Sequence, residues 1–406
     1  MTDRHLVVVG ASLAGLRAVE GARKAGFAGR VTLVGGEPHL PYDRPPLSKA
    51  FLDAPEPQVP TYRGEDVLRG ELAVGLELGV PAAGLDLAER AVLVGDREIG
   101  YDALVLATGA QARTLPVGAG LSGVHTVRTL DDARAVRAAL DAGARTVVVG
   151  AGFIGSEIAS GARKRGLPVT LVEAAPTPLV RAVGKRMGAA CADLHRLNGT
   201  DLRCGVGVVD IEGRAGRAER VVLSDGSTVD ADLVVVGVGA DPATGWLAGS
   251  GLTVDNGIVC DATLATGAPG VYAAGDVARW HNALFDRPMR LEHWTSAADQ
   301  GALAARNALD PGNAEPYETV PYFWSDWYGS RIQFVGVPQA DEVVVVDGDV
   351  TAGRRWVALY READRLVGAL TLNGQRVVMK YRGLIARRAS WAQAMEFAAA
   401  RRSAAA

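Results

Sequence analysis

Apolar residues are distributed along this chain in two textures. In roughly the first three quarters, short unbroken apolar runs alternate with longer stretches in which apolar positions recur every three or four residues. The runs at 6–10, 31–34, 104–107, 146–149, 169–172, 220–223 and 233–237 read as strands, the first two of them short, buried and parallel. The stretches at 14–25, 131–141 and 153–165 read as amphipathic helices. Strand alternating with helix predicts parallel, doubly wound sheets. Val271-Tyr-Ala-Ala-Gly-Asp276 is a further strand running into a turn, and it resembles the completion of the first set although it follows the second. The second set is therefore expected to be inserted into the first. After about Pro321 the texture changes. Ile332-Gln-Phe-Val, Glu342-Val-Val-Val-Val, Arg355-Trp-Val-Ala-Leu-Tyr and Leu366-Val-Gly-Ala-Leu-Thr-Leu read as antiparallel strands, with turn chemistry at Asp347-Gly348 and Asn373-Gly374. Two helices, about 376–387 and 390–401, follow, and the last residues are expected to fray. The predicted domains are 1–112 with 242–318, an inserted 113–241, and a smaller α+β domain at 319–406.

The two α/β sets acquire a chemistry from their first turns. Val147-Val-Val-Gly-Ala-Gly-Phe-Ile-Gly-Ser-Glu157 leaves a strand and opens a helix, and an acid, Glu173, follows the next strand. This is a dinucleotide-binding fingerprint in its expected context. Gly150 permits the tight turn, Gly152 lets backbone approach a pyrophosphate, and Gly155 lets helix and strand pack closely. Phe153 and Ile154 lie on the first helical turn, whose free N–H groups face the phosphates. Leu6-Val-Val-Val-Gly10-Ala-Ser12-Leu-Ala-Gly15 is a looser copy. There Gly10, Ser12, Leu13, Ala14 and Gly15 are expected to wrap a second pyrophosphate, with a serine hydroxyl where the pattern has its middle glycine. Glu37 is the expected ribose acid of that copy. Two fingerprints in one chain imply two nucleotides, most simply FAD and a nicotinamide cofactor. The fold class expected is α/β, with two Rossmann-like dinucleotide-binding domains and a C-terminal α+β domain.

Composition narrows the class without changing it. A net charge of −3 gives no global sign of nucleic-acid binding. No apolar stretch is long enough to span a bilayer, and the chain enters a strand directly after Met1-Thr-Asp-Arg-His, so a cytoplasmic protein is expected. The three cysteines, Cys191, Cys204 and Cys260, are far apart and form no C-x-x-C pair, so neither a disulfide framework nor a metal site is expected.

Other segments carry a resemblance. Pro41-Tyr-Asp-Arg-Pro-Pro-Leu-Ser-Lys49, Ala107-Thr-Gly109, Arg128-Thr-Leu, Gly275-Asp276, Glu292-His-Trp294 and Phe323-Trp-Ser-Asp326 stand in an order that resembles the FAD-dependent, NADH-oxidising ferredoxin reductases of bacterial cytochrome P450 and aromatic-ring dioxygenase systems, the putidaredoxin and rhodocoxin reductase type. The architecture implied is that of glutathione-reductase-like flavoproteins. The resemblance implies FAD contacts from Arg44, Lys49, Val80, Ala107, Thr108, Gly109, Arg128, Asp276, Glu292, His293, Trp294 and Trp324. It implies that Lys49 and Glu157 meet where hydride reaches the flavin, as the catalytic pair. Gly239 resembles the turn bordering the nicotinamide. Glu173, followed by Ala174-Ala-Pro-Thr without an arginine, favours NADH over NADPH. His39-Leu-Pro-Tyr-Asp holds no thiol where related disulfide reductases and peroxide-forming oxidases carry one, so electrons are expected to leave the flavin directly.

Trp327 stands where the family resembled usually has glutamine or a similar polar residue, and it is expected to pack in the interior. Between Arg376 and Arg402 there are seven Lys/Arg and one acid, Glu396. A basic face of that kind suits an acidic iron–sulfur ferredoxin, with Arg279, Arg287 and Arg290 as possible additions. The function implied is electron transfer from NADH through FAD to a ferredoxin that serves a cytochrome P450 or ring-hydroxylating dioxygenase. Two alternatives stand beside it. One is an NADH-dependent reductase of a small molecule, of monodehydroascorbate or quinone type. The other is an NADH-sensing interaction protein like apoptosis-inducing factor.

Overall fold

Each of the two strand–helix alternations closes into a five-stranded parallel sheet in the computed structural model, which describes residues 4–403. The final alanines, expected to fray, lie outside the described residues. Two compact units emerge. One comprises the chain up to Asp43, Pro60–Gln111 and Asp241–Thr319; the other comprises Arg44–Val59, Ala112–Ala240 and the chain from Val320.

In the first unit the strands run in the order Val271–Ala273, Ala103–Leu106, His5–Val9, Arg30–Gly35, Val74–Leu78. The late strand pairs in parallel with Ala103–Leu106, so the chain does return to complete its first sheet. His5–Val9 lies in the middle and is buried along its whole length, which is why it reads as an uninterrupted apolar run. The helix Leu13–Lys24 lies so close to the helix Trp294–Leu309 that a Cβ on Gly301 would fall 2.1 Å from the Ala14 carbonyl oxygen. A small antiparallel sheet, Ala82–Asp86, Ala91–Val94 and Arg97–Gly100, was not legible in the periodicity.

In the second unit the order is Asp201–Cys204, Val169–Glu173, Thr146–Val149, Leu233–Val236, Val124–His125. Period-two alternation splits the residues of this sheet between two cores. Val148, Leu171 and Val235 pack with Val136, Leu140, Ile158 and Ala162 of the helices Leu130–Asp141 and Phe153–Lys164. Val147, Val149 and Val172 face the other way, onto Ile211, Val221 and Leu223 of a three-stranded antiparallel sheet. Each fully buried Val or Ile contributes on the order of 1.5–3 kcal/mol, so both faces stabilise the sheet strongly.

The C-terminal segment of the same unit forms a five-stranded antiparallel sheet ordered Tyr322–Trp327, Ser330–Gly336, Arg365–Leu372, Trp356–Glu362, Glu342–Gly348, with helices Gln375–Ala386 and Trp391–Ser403. Its first strand was read in the sequence only as an aromatic cluster. Alternation on that strand turns Ser325 and Trp327 inward, both 0% exposed, and leaves Asp326 to pair with Arg331 at 2.7 Å.

Candidate active site

The two fingerprints are built alike. The Gly10 N–H donates to the Val34 carbonyl and the Gly150 N–H to the Val172 carbonyl, both at 2.7 Å, which holds each glycine turn against the second strand of its sheet. A Cβ on Gly10 would fall 2.0 Å from the Ala107 carbonyl oxygen, and one on Gly150 would fall 2.4 Å from that of Gly237. Both glycines also hold positive φ, +121° and +98°. Gly15 and Gly155 are likewise crowded by the Gly10 and Gly150 carbonyl oxygens, at 1.8 and 2.0 Å. These four positions are glycine because the protein's own backbone leaves no room.

Gly152 differs. A Cβ there would meet only the Gly237 carbonyl oxygen, at an ordinary 3.8 Å. Nothing in the protein requires glycine at this position, so the space beside it suits an approaching phosphate. The helix Phe153–Lys164 begins there without a side-chain cap, leaving first-turn N–H groups to an anion. Ile154 lies beside this opening and is exposed, offering apolar surface. Phe153 instead packs its ring at a tilt against Phe323, centroids 4.5 Å apart and planes at 51°. Glu173 closes the cradle at the strand end, accepting hydrogen bonds from the Ala151 N–H at Oε2 and the Ala175 N–H at Oε1, both 2.8 Å. Gly239, at φ +113°, accepts from the Arg113 N–H at 3.0 Å. The residues present therefore fit a dinucleotide.

In the first unit the helix Leu13–Lys24 is preceded by Ser12, whose hydroxyl does not cap it. Leu13 and Ala14 are buried at its start. Gly275 packs its turn to within 3.0 Å, measured from the Cβ it lacks, of the Ala14 Cβ, and its N–H donates to Gln300 Oε1 at 2.8 Å. Asp276 is thereby presented next to the glycine turn. Thr108 donates to the Ala243 carbonyl at 2.9 Å, and Gly109 accepts from the Ala243 N–H at 2.9 Å. The Tyr42 hydroxyl donates to Glu37 at 2.5 Å. Val80 is exposed at 41%. Glu292 pairs with Arg290 at 2.9 Å. His293 stands at the N-cap of the next helix; burial lowers its pKa to about 4, against the pull of Asp276. The Trp294 indole donates to Asp43 at 2.9 Å, and the Tyr62 hydroxyl donates to the same carboxylate oxygen at 2.7 Å. This cradle, with its crowded glycine turn and open helix start, fits an FAD pyrophosphate.

The remaining expected residues belong to the second unit. Arg44 donates to the Arg128 carbonyl at 2.5 Å. Arg128 is itself fixed by a capping box: Thr129 accepts from the Asp132 N–H at 3.1 Å, and the Asp132 carboxylate accepts from the N–H groups of Arg128 and Thr129 at 3.0 Å. Trp324 stacks on Tyr322, centroids 5.6 Å apart. Lys49 meets Glu157 at 2.7 Å, although 108 positions separate them. The segment bearing Lys49 is strapped down by Arg137, which donates to the carbonyls of Phe51 and Leu52 at 2.7 and 2.8 Å.

Two residues missed in the sequence complete this pair. Ser48 donates to Glu157 Oε2 at 2.5 Å, and Ser325 donates to Glu157 Oε1. Burial pushes the Glu157 carboxyl above the usual range, while Lys49 first, then Ser325 and Ser48, pull it back. Ser48 adjoins Lys49 in one of the motifs that carry the resemblance, and Ser325 lies in another, Phe323-Trp-Ser-Asp326, signals that could have pointed to them. Of the arginines offered as additions to a basic face, Arg279 pairs with Asp255 and Arg290 with Glu292. By contrast, Arg376, Lys380, Arg401 and Arg402 are exposed on the two last helices, and Arg387 and Arg388 are exposed in the turn between them.

Residues 4–301 match the family described as pyridine nucleotide-disulphide oxidoreductase, and residues 322–401 match the reductase C-terminal family. Rhodocoxin reductase of Rhodococcus erythropolis is 38% identical over 94% of this chain and 89% of its own. The ferredoxin--NAD(+) reductase component of the biphenyl dioxygenase system of Paraburkholderia xenovorans is 37% identical over 90% of this chain and 89% of its own. A crystal structure of the covalent putidaredoxin reductase–putidaredoxin complex is similar at 33% identity and a TM-score of 0.90, covering 96% of this chain and 94% of that one. The chain belongs to the pyridine nucleotide-disulphide oxidoreductase family, in the branch that holds the ferredoxin reductases.

Proposed function

We propose that this chain is a ferredoxin--NAD(+) reductase that takes electrons from NADH and delivers them to an iron–sulfur ferredoxin serving a cytochrome P450 or ring-hydroxylating dioxygenase. The observation that carries this reading is the presence of two nucleotide cradles in one chain whose cysteines, Cys191, Cys204 and Cys260, are all free. A disulfide reductase needs a redox pair of thiols; here Cys191 and Cys260 are buried, and burial raises the pKa of both thiols to about 12. FAD, when bound, supplies the hydride acceptor and the one-electron outlet that no side chain can supply.

The chain's own residues do the rest. Gly10, Ser12, Leu13, Ala14, Gly15, Asp276 and the Ala107–Gly109 turn hold the flavin nucleotide, with Glu37 on its ribose. Arg44, Lys49, Val80, Arg128, Glu292, His293, Trp294 and Trp324 contact its remainder. Gly150, Gly152, Phe153, Ile154, Gly155 and Gly239 hold the nicotinamide nucleotide. Glu173, already oriented by two backbone N–H donors, accepts from the adenosine ribose hydroxyls and repels a 2′-phosphate, which favours NADH. Lys49, held by Glu157, places a positive charge where reduction adds negative charge. The basic face of the two last helices steers an acidic ferredoxin. The free thiols fit a reducing compartment, and the proposed location is the cytoplasm. Among the described residues no helix is long and apolar enough to cross a membrane.

The purified protein is expected to be yellow and to bleach when NADH is added without oxygen. Cytochrome c reduction is expected to require an added ferredoxin. A folded protein without flavin would overturn the reading; rapid quinone or monodehydroascorbate reduction without ferredoxin would replace the proposed acceptor.

A further inference from the structure

The Glu157 carboxylate sits in a buried net of donors whose directions can be worked out from chemistry alone. An indole N–H can donate but never accept, and a serine hydroxyl has a single proton to give. Trp327 Nε1 donates to Ser325 Oγ at 2.8 Å. With one of its two lone pairs occupied by that donor, the Ser325 hydroxyl gives its single proton to Glu157 Oε1. At Oε2 the Ser48 hydroxyl and the Lys49 ammonium donate, at 2.5 and 2.7 Å. All around, Glu157 meets donors. Both acceptor positions of Oε2 and one of Oε1 are taken by donors, so the net is arranged for the ionised acid.

The geometry points to Trp327 as a positioning residue that acts through Ser325: by committing the Ser325 proton to Glu157, it holds that acid as the carboxylate partner of Lys49. The inference rests on the reading of Lys49 and Glu157 as the pair that serves flavin reduction, and it names what keeps the pair charged in a buried place. Glu157 is 3% exposed and Ser325 and Trp327 are both 0% exposed, so the hydrogen-bond directions are set inside the fold. Trp327 is itself held from behind by the His195 ring, centroids 4.8 Å apart at 34°. His195 Nδ1 is hydrogen-bonded to the Tyr328 hydroxyl at 2.7 Å, and that hydroxyl is also bonded to Thr200 at 2.8 Å. The charged and titratable groups around Glu157 are few. Lys49 comes from the segment bearing Ser48. On the strand of Ser325, Asp326 points the opposite way and is paired with Arg331. From the helix Val180–Leu197, His195 stands behind Trp327, its pKa lowered to about 3 by burial and then by Arg196. Glutamine in place of Trp327 could donate or accept, and so would not impose this direction.

The test is a titration of the Glu157 carboxyl by NMR in the oxidised protein labelled with carboxyl-enriched glutamate, the resonance assigned by its loss in E157Q. In S325A the acid dissociation constant is expected to fall about tenfold, roughly one pKa unit, because one donor to a charged group is lost. W327F is expected to give a smaller shift in the same direction, and the double variant no more than S325A alone, because Trp327 works through Ser325. S325T, which keeps the hydroxyl, restores the wild-type value. Independently, the Trp327 indole N–H resonance, assigned by W327F, moves in S325A. A W327F shift of zero, a shift that adds fully to that of S325A, or an indole resonance unmoved by S325A would overturn the inference. None of these measurements uses NADH. Failure of NADH to bleach the flavin would therefore sink the proposed function and leave this result readable.

Discussion

The two nucleotide cradles differ in two places, and each difference has its own cause. Gly10 and Gly150, and again Gly15 and Gly155, are matched because in both cradles a carbonyl oxygen stands within 2.4 Å of the missing Cβ. The middle position is not matched: Ser12 stands opposite Gly152, whose missing Cβ would meet protein only at 3.8 Å. Glycines demanded by the protein's own backbone persist, whereas one demanded only by a ligand can change with the ligand. The acids differ too. Because Gly10 and Gly150 donate to Val34 and Val172, Gly35 is the counterpart of Glu173. A Cβ on Gly35 would lie 2.6 Å from the Ala11 Cβ and 3.0 Å from Leu78. No side chain fits there, and the acid proposed for the first cradle, Glu37, stands two residues later.

This comparison can be broken by substitution. The largest effects are expected from G10A and G150A, which force a Cβ into a carbonyl at positive φ and should cost about 3 kcal/mol or more each. G152A should leave thermal unfolding within about 0.5 kcal/mol of wild type while weakening NADH binding about tenfold or more. If G152A were as destabilising as G150A, the distinction between the two kinds of glycine would fail. Next in size, E173Q combined with A174R should move the ratio of kcat/KM for NADH over NADPH by at least about a hundredfold toward NADPH, the sum of a lost ribose acceptor and a gained phosphate partner. Unchanged selectivity would remove Glu173 from the ribose.

Acid should test both units at once, since each holds a histidine whose folded pKa is lowered far below 6.5, His293 to about 4 and His195 to about 3, in both cases chiefly by burial. Each ring binds its proton less readily folded than unfolded. The stability each contributes is therefore present above about 6.5, and drains as pH falls toward the folded value, by up to about 1.4 kcal/mol per pH unit per histidine. Melting temperature measured against pH should fall through that window, more steeply above about 4 than below it. H195N should flatten the lowest part. A melting temperature that stays level from neutral pH to about 4 would contradict the burial of both rings. The smallest effect is expected for S12G, a few tenths of a kcal/mol, because glycine replaces serine at a helix start where the hydroxyl does not cap. A larger loss of flavin retention than of stability in S12G would show the hydroxyl reaching the phosphate.

Much was legible in the residues alone because it is local. The fingerprint turns and the buried runs of the two parallel sheets rest on patterns spanning a few residues, where backbone geometry and periodicity dictate the outcome, whereas the return of Val271–Ala273 to the first sheet was legible only by its likeness to the end of the first set. The small antiparallel sheets, such as Ala82–Asp86 with Ala91–Val94, were missed because short half-exposed strands of mixed polarity carry no clear period. The strand Tyr322–Trp327 was hidden by its aromatic content, since tryptophan and tyrosine sit comfortably on either face of a sheet.

By itself, then, the chain's order of residues determined which stretches become strands and helices and where two nucleotides can be received. Tertiary structure alone decided that Glu173 has room where Gly35 has none. It also decided that Ser48, Ser325 and Trp327 gather around Glu157 with Lys49. The physical reason is one of range. Turn geometry and hydrophobic period act between near neighbours, whereas the room for a Cβ and the direction of a buried proton depend on atoms that only the folded chain brings within contact distance.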